Sequence, residues 1–243
     1  MIMKLLIVGS GSMGRWFASS VDAEVTFLDI KAERAQGAAE DMGGKMANLG
    51  TDELFDIVCI AVPIPRVTEA ISTYAKNVTG IMCDITGIMK IPMEAMKKYA
   101  NGVERISLHP LFGPENYPGR IALVIDEMGP MAEQIFEDLE KAGNTLFITT
   151  AGEHDEVMKT VQGMTHAAIL SFALAAQEVP EEFGTPIFDG LVDLVKEMTN
   201  GNARVYSDIQ EVFGGSKAII EAAKKISSAD WKEFSQLYEE ASR

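Results

Sequence analysis

The chain has 243 residues, 47% hydrophobic and 23% charged, with 36 acidic against 21 basic side chains and a formal net charge of −15. That length allows one large domain or two small ones with a sizeable core, and the composition is that of an ordinary soluble globular protein. The acidic balance argues against a nucleic-acid or anionic-membrane partner, whose phosphates need a basic surface; a small anionic substrate would need locally placed cations.

The opening MIMKLLIVGSGSMG is apolar for only a few residues and runs directly into glycines, so KLLIVGS (4–10) is read as a strand and not as a signal peptide. No apolar run approaches a membrane span, and a cytoplasmic location is expected. A helix is predicted over 13–21, a strand over 24–30, a helix over 31–42 and a short third strand in GGKMA (43–47). DIVCIAVP (56–63) is strongly β in character; a helix at 65–75, the strand GIMCDIT (80–86) and a helix at 92–100 with proline first follow. RISLH (105–109) and GRIALVI (119–125) are strands, 131–143 is helical with a glycine stop, and TLFITT (145–150) is the last strand. This alternation predicts an α/β domain, a doubly wound, mostly parallel sheet with helices on both faces.

From about residue 151 every segment has helical period, beginning with one long stretch, EHDEVMKTVQGMTHAAILSFALAAQ (153–177). Two domains are therefore expected, an α/β half (1–150) and an all-α half (151–243). GMTHAAILSFALAA (163–176) is apolar almost all round, a pattern expected of a helix buried on every side, sandwiched by its own domain or by a second subunit. Cys59 and Cys83 lie in apolar strands and are read as buried, reduced thiols; no metal site is expected, because no second Cys or His stands at ligand spacing.

Gly9-Ser10-Gly11-Ser12-Met13-Gly14 is G-x-G-x-x-G, directly after a predicted strand and opening a predicted helix. That is the context in which the motif binds a dinucleotide: Gly9 for the tight turn, Gly11 for close approach of a pyrophosphate, Gly14 for helix–strand packing. Asp29 stands about 20 residues past the first glycine, where an acid hydrogen-bonds the ribose 2′-OH and repels a 2′-phosphate. NAD is thus favoured over NADP, although Lys31 and Arg34 nearby could hold a phosphate. Ala61, Val62 and Pro63, and Asp84, end predicted strands and are expected along the cofactor.

SLHPLFGPE (107–115) places His109, one of three histidines, at a strand end, with Pro110, Gly113 and Pro114 stiffening the loop. Ligands of open α/β sheets bind at the carboxyl ends of strands. Beside a dinucleotide site, His109 reads as a general base for the proton released when an alcohol is oxidised.

HPLFGPE resembles the HPMFGP signature of the prephenate dehydrogenases and the related arogenate dehydrogenases. DITGIMK (84–90) resembles that family's D-x-x-S-x-K segment, GEHDEVMKTVQGMTHAAILSFALA (152–175) its EHD…SHLPH…AFAL helix, and NARVYSDI (202–209) its TR-x-A…DI segment. The resemblance implies NAD-dependent oxidative decarboxylation of prephenate to 4-hydroxyphenylpyruvate in tyrosine biosynthesis. It assigns His109 to the 4-hydroxyl proton, Arg204 to a substrate carboxylate, and His166 to substrate contact. His154 is given a structural role, in capping or in an interdomain hydrogen bond. Thr86 or Gly87 takes the place of the family's serine, and Thr86 would keep a catalytic hydroxyl. The all-apolar helix and the short second domain suggest a homodimer through the C-terminal helices. Other readings stay open: arogenate as substrate, a β-hydroxyacid-type dehydrogenase with Lys90 or Lys159 as base, or a non-catalytic dinucleotide sensor.

Overall fold

The computed structural model describes residues 2–176 and 178–242; Gln177, the last residue of the predicted long helical stretch, lies outside the described residues. The chain divides into two compact units, Met1–Asp155 and Glu156–Arg243.

The first unit is built on an eight-stranded sheet of order β3-β2-β1-β4-β5-β6-β7-β8. The strands are β1 (Met3–Val8), β2 (Ala23–Leu28), β3 (Lys45–Met46), β4 (Phe55–Ile60), β5 (Val78–Asp84), β6 (Glu104–Pro110), β7 (Arg120–Glu127) and β8 (Thr145–Ile148). All neighbours pair in parallel except β6 and β7, which are antiparallel. The helices of this unit are α1 (Ser12–Ser20), α2 (Ala32–Met42), α3 (Val67–Tyr74), α4 (Lys90–Tyr99) and α5 (Pro130–Lys141), and α6 (Ala151–Met158) begins within it.

A sheet covered on both faces needs strands that are apolar on both sides. Leu5, Ile7, Ile57, Cys59, Ile81 and Cys83 point to one face, where Phe17, Ala38 and Leu139 pack. Leu6, Val8, Val58, Ile60 and Met82 point to the other, against Val67, Ile71, Met93 and Met96. The two cysteines are free and buried, and they are register neighbours on β4 and β5.

The order reverses at β1: the chain steps outward to β2 and β3, then returns to lay β4 on the other side of β1. Such a reversal opens a crevice at the carboxyl ends of the two central strands. The glycine segment follows β1 and Ala61–Pro63 follows β4, so both stand at that crevice.

The second unit is helical: a π-helical turn (Lys159–Met164), α7 (Thr165–Ala175), α8 (Pro186–Thr199), α9 (Ala203–Phe213), α10 (Ser216–Ser228) and α11 (Trp231–Ala241). The π turn has a packing cause. A side chain on Gly215 would run into the Gly163 carbonyl, and Gln210 Nε2 donates to that same oxygen at 2.7 Å. The expectation that the apolar segment 163–176 is buried on every side is not met by the chain alone. Within α7 only Ala167 is buried, and Leu174 is 87% exposed. Its uniform apolarity has no polar face to offer water, yet the short helices of this unit do not enclose it.

Candidate active site

The loop that would cradle a dinucleotide is fixed by contacts only glycine permits. Gly9 has φ +105°, and a side chain there would strike the Ala61 carbonyl and come within 3.2 Å of Val62 Cγ1. Gly14 lies so near the Gly9 carbonyl and Ile7 Cγ2 that any added carbon would lift α1 off the sheet. Gly11 differs: nothing lies within 4 Å of the place a side chain would take. Gly11 and Ser12 are exposed, Met13 is half-buried, and Ser10 is buried with its hydroxyl oxygen unpartnered among the described residues. This open backbone at the start of α1, facing the positive end of a helix, suits a pyrophosphate. The residues present therefore fit a dinucleotide.

Asp29, just past β2, accepts the Ser10 N–H and the Lys31 N–H, each at 2.9 Å. One carboxylate thus ties the glycine loop to the start of α2 and remains partly accessible. Lys31 and Arg34 are exposed beside it. Ala61 and Val62 are half-buried and Pro63 is exposed beside the glycine loop.

Asp84 and Thr86 meet each other. The Thr86 N–H and hydroxyl lie 3.0 and 2.5 Å from Asp84 Oδ2, and the same hydroxyl lies 3.0 Å from the Ile88 carbonyl. A hydroxyl has one proton. If it goes to Ile88, the carboxyl must donate to Thr86, which requires Asp84 to be protonated. Burial pushes Asp84 up to about 7, against the hydrogen bonds from Thr86 and Ser107 that pull it down. Asp84 is 0% exposed. Asp84, expected along the cofactor, thus ends its strand with the side chain turned into the protein. The Thr86 hydroxyl likewise turns inward, onto Asp84 and Ile88.

His109 ends β6 and is buried. Its Nδ1 lies 2.8 Å from Nε2 of His154, whose own Nδ1 lies 2.8 Å from Asp155 Oδ1. Asp155 also accepts the Met89 N–H at 2.9 Å and the Lys90 N–H at 3.1 Å, at the start of α4. Burial alone would raise Asp155, but the bonds from His154, Met89 and Lys90 outweigh it and hold the carboxyl below its usual range. Burial, then His154, push His109 down to about 3, with Asp155 opposing. His109 is therefore neutral at pH 7, the state a proton acceptor needs. The loop after it is anchored to the dinucleotide helix: Phe112 packs edge-on against Trp16, ring centres 5.2 Å apart.

His154 is the residue whose part in this cluster sequence reasoning missed. The available signal was an aspartate directly after a histidine in a helical turn; its pairing with a residue 45 positions away is visible only in three dimensions.

Arg204 and His166 belong to the second unit. Arg204 opens α9, where its Nε donates to the buried Asp208 at 2.7 Å while the side chain is 62% exposed. His166 packs edge-on against Tyr206, ring centres 4.8 Å apart, and burial lowers its pKa. A largely apolar cavity of about 310 Å³ is lined by Leu170, Met198, Gly201, Tyr206 and Gln210. Among the described residues no helix is long and apolar enough to cross a membrane.

Comparison with known proteins places this geometry in a family. The family profile for "Prephenate dehydrogenase, nucleotide-binding domain" matches residues 18–151. A probable arogenate/prephenate dehydrogenase of Methanocaldococcus jannaschii is 28% identical over 84% of this chain and 50% of its own length. The chain thus spans about half of that relative. The 4-amino-4-deoxyprephenate dehydrogenase of Streptomyces pristinaespiralis is 24% identical over 97% of this chain and 88% of its own length. In fold, the chain is similar to the prephenate dehydrogenase of A. aeolicus solved with hydroxyphenyl propionate and NAD+: TM-score 0.75, 16% identity, 100% of this chain and 96% of that one. The arogenate dehydrogenase of Synechocystis gives TM-score 0.66 at 15% identity, over 99% of this chain and 98% of that one. With more than half its length matched by the family profile, the chain belongs to the prephenate dehydrogenase family, whose members are oxidoreductases.

Proposed function

We propose that this protein catalyses the NAD-dependent oxidative decarboxylation of prephenate to 4-hydroxyphenylpyruvate. The observation that carries the reading is a neutral, buried histidine, His109, at the carboxyl end of a strand in the same sheet that carries the glycine loop.

When bound, the nicotinamide supplies the acceptor for the hydride leaving ring C4. The chain's own residues do the rest. Gly9, Gly11 and Gly14 leave room for the pyrophosphate. Asp29, with lone pairs left after its bonds to Ser10 and Lys31, takes a ribose hydroxyl and disfavours a 2′-phosphate. His109 accepts the 4-hydroxyl proton as charge develops on that oxygen. Loss of carbon dioxide leaves an aromatic ring, so the step runs downhill. Thr86 and Asp84 hold the loop between β5 and α4 from within.

Prephenate carries two carboxylates and the protein a net charge of −15. A fixed cation is needed, and Arg204 is assigned to a carboxylate, its guanidinium oriented by Asp208. His166 is assigned to substrate contact beside Tyr206. A homodimer through the C-terminal helices would cover the exposed Leu174, Ile187, Trp231 and Tyr238.

Arogenate is the second reading, favoured by the double name of the Methanocaldococcus relative. The test is a comparison of kcat/KM for prephenate and arogenate with NAD. A higher value for prephenate is expected; a higher value for arogenate would replace the substrate and leave the roles of His109 and Asp29 standing.

A further inference from the structure

Asp155, His154 and His109 are joined in sequence by two hydrogen bonds, each 2.8 Å long. We propose that His154 and Asp155 are positioning residues that lock His109 in a single tautomer, with its proton on Nδ1 and its unprotonated nitrogen at Nε2. This inference rests on the reading of His109 as the base.

The assignment follows from counting protons along the line. Asp155 is met by two backbone N–H donors at the start of α4, and these keep it ionised. An ionised carboxylate can only accept, so His154 must carry a proton on Nδ1. Neutral His154 then has a bare Nε2, which can only accept in turn. The proton in the second bond must therefore belong to Nδ1 of His109. That leaves Nε2 as the unprotonated nitrogen of His109.

The alternative arrangement, with His154 donating to His109 Nδ1, needs a proton on both nitrogens of His154. It would place an imidazolium only 4% exposed to solvent against a second buried ring. The cluster also has a mechanical consequence. His109 sits on β6, whereas Asp155 is fixed to the first turn of α4; the two bonds between them fix the direction of the His109 ring plane, 76° from that of His154. When His109 takes its proton, Asp155 is the negative charge that stabilises the imidazolium through His154.

A purely structural use of the same residues is that Asp155 satisfies the start of α4 and His154 fills space. The two differ in what a variant does. His154→Phe keeps the ring volume and removes the acceptor. His154→Gln places an amide oxygen near the position of Nε2, where it can accept from His109 Nδ1. With prephenate and saturating NAD, His154→Phe is expected to lower kcat about 10- to 100-fold with little change in NAD affinity, and His154→Gln to recover most of that loss. A role limited to packing gives no recovery by Gln, and wild-type kcat in His154→Phe would overturn the proposal.

The tautomer can also be read without any substitution. The chain has three histidines, so long-range proton–nitrogen correlation spectra of the ¹⁵N-labelled full chain can be assigned by single replacement of each. The expected result is a protonated Nδ1 on both His109 and His154. A proton on Nε2 of His109 refutes the proposal whatever the kinetics show. If the wild-type protein fails to oxidise prephenate, the reading of the reaction has failed, and the spectra still decide the tautomer.

Discussion

Nδ1 of His109 and Nε2 of His154 stand 2.8 Å apart at the carboxyl end of β6, with their rings nearly perpendicular. One histidine comes from a strand and the other from the helix that ends the sheet domain. Their contact orients a strand-end side chain that the same burial keeps neutral, the state the proposed base needs.

Replacing His109 by Asn should therefore remove the proton acceptor and leave the nucleotide site alone. A fall in kcat of about 10²–10⁴ is expected, with the Kd for NAD, measured by fluorescence titration, within a factor of about two. Near-normal turnover in His109→Asn would mean that the base lies elsewhere, with Lys90 and Lys159 the next residues to test.

Asp29 is expected to set the choice of cofactor. Asp29→Asn keeps an acceptor for the Ser10 N–H but removes the negative charge beside Lys31 and Arg34. The ratio of kcat/KM with NAD to that with NADP should fall by about tenfold or more, the worth of one charge-assisted hydrogen bond. An unchanged ratio would assign Asp29 to loop structure only.

Gly14 has its consequence in stability. An added methyl at this position meets the Gly9 carbonyl and Ile7 Cγ2 at once, and neither can move without disturbing β1. Gly14→Ala should cost about 1–3 kcal/mol, as overpacking does. Urea unfolding should show a lower midpoint at unchanged slope. Gly11→Ala, at an open position, should leave the midpoint nearly unchanged and weaken NAD binding instead.

The pH dependence of stability should separate Asp84 from His109. Burial raises Asp84 in the folded protein to about 7, above the ordinary carboxylate value of 3.8. Between those values the folded state holds a proton that the unfolded chain has lost, so this group stabilises at low pH and its contribution fades as pH rises to 7. His109 has the opposite sign. Its folded value of about 3 lies below 6.5, so its contribution grows as pH rises from 3 to 6.5. The two slopes oppose each other between about pH 4 and 6.5, each about 1.4 kcal/mol per pH unit at most. Asp84→Asn mimics the protonated carboxyl and removes one of them. Its stability, unlike that of the wild type, should climb steadily with pH over that window in chemical denaturation. A parallel pair of curves would contradict the burial of an ionisable Asp84.

Much of this was legible along the chain. The alternation of apolar strands with amphipathic helices was enough for the sheet, because strands buried on both faces, such as 57–60, are short apolar runs set between breaks in the chain. The glycine loop was legible because backbone geometry restricts its residue types. The direction of Asp84 was not legible, because a position at a strand end does not say which way the side chain turns; here it turns inward onto Thr86. What covers the helix around residue 170 was not legible, because a helix apolar on all sides shows that it lacks a polar face without showing its neighbour. The His109–His154–Asp155 line joins two segments far apart in the chain, and only the folding of α6 against the sheet end brings them together.

The most direct test of the proposed chemistry is to mix the purified protein with prephenate and NAD and follow reduced nicotinamide by absorbance, with chromatography of the product. Reduction of NAD matched one for one by 4-hydroxyphenylpyruvate is expected. No reduction of NAD by prephenate, at a protein concentration where NAD binding is demonstrable, would contradict the proposed reaction.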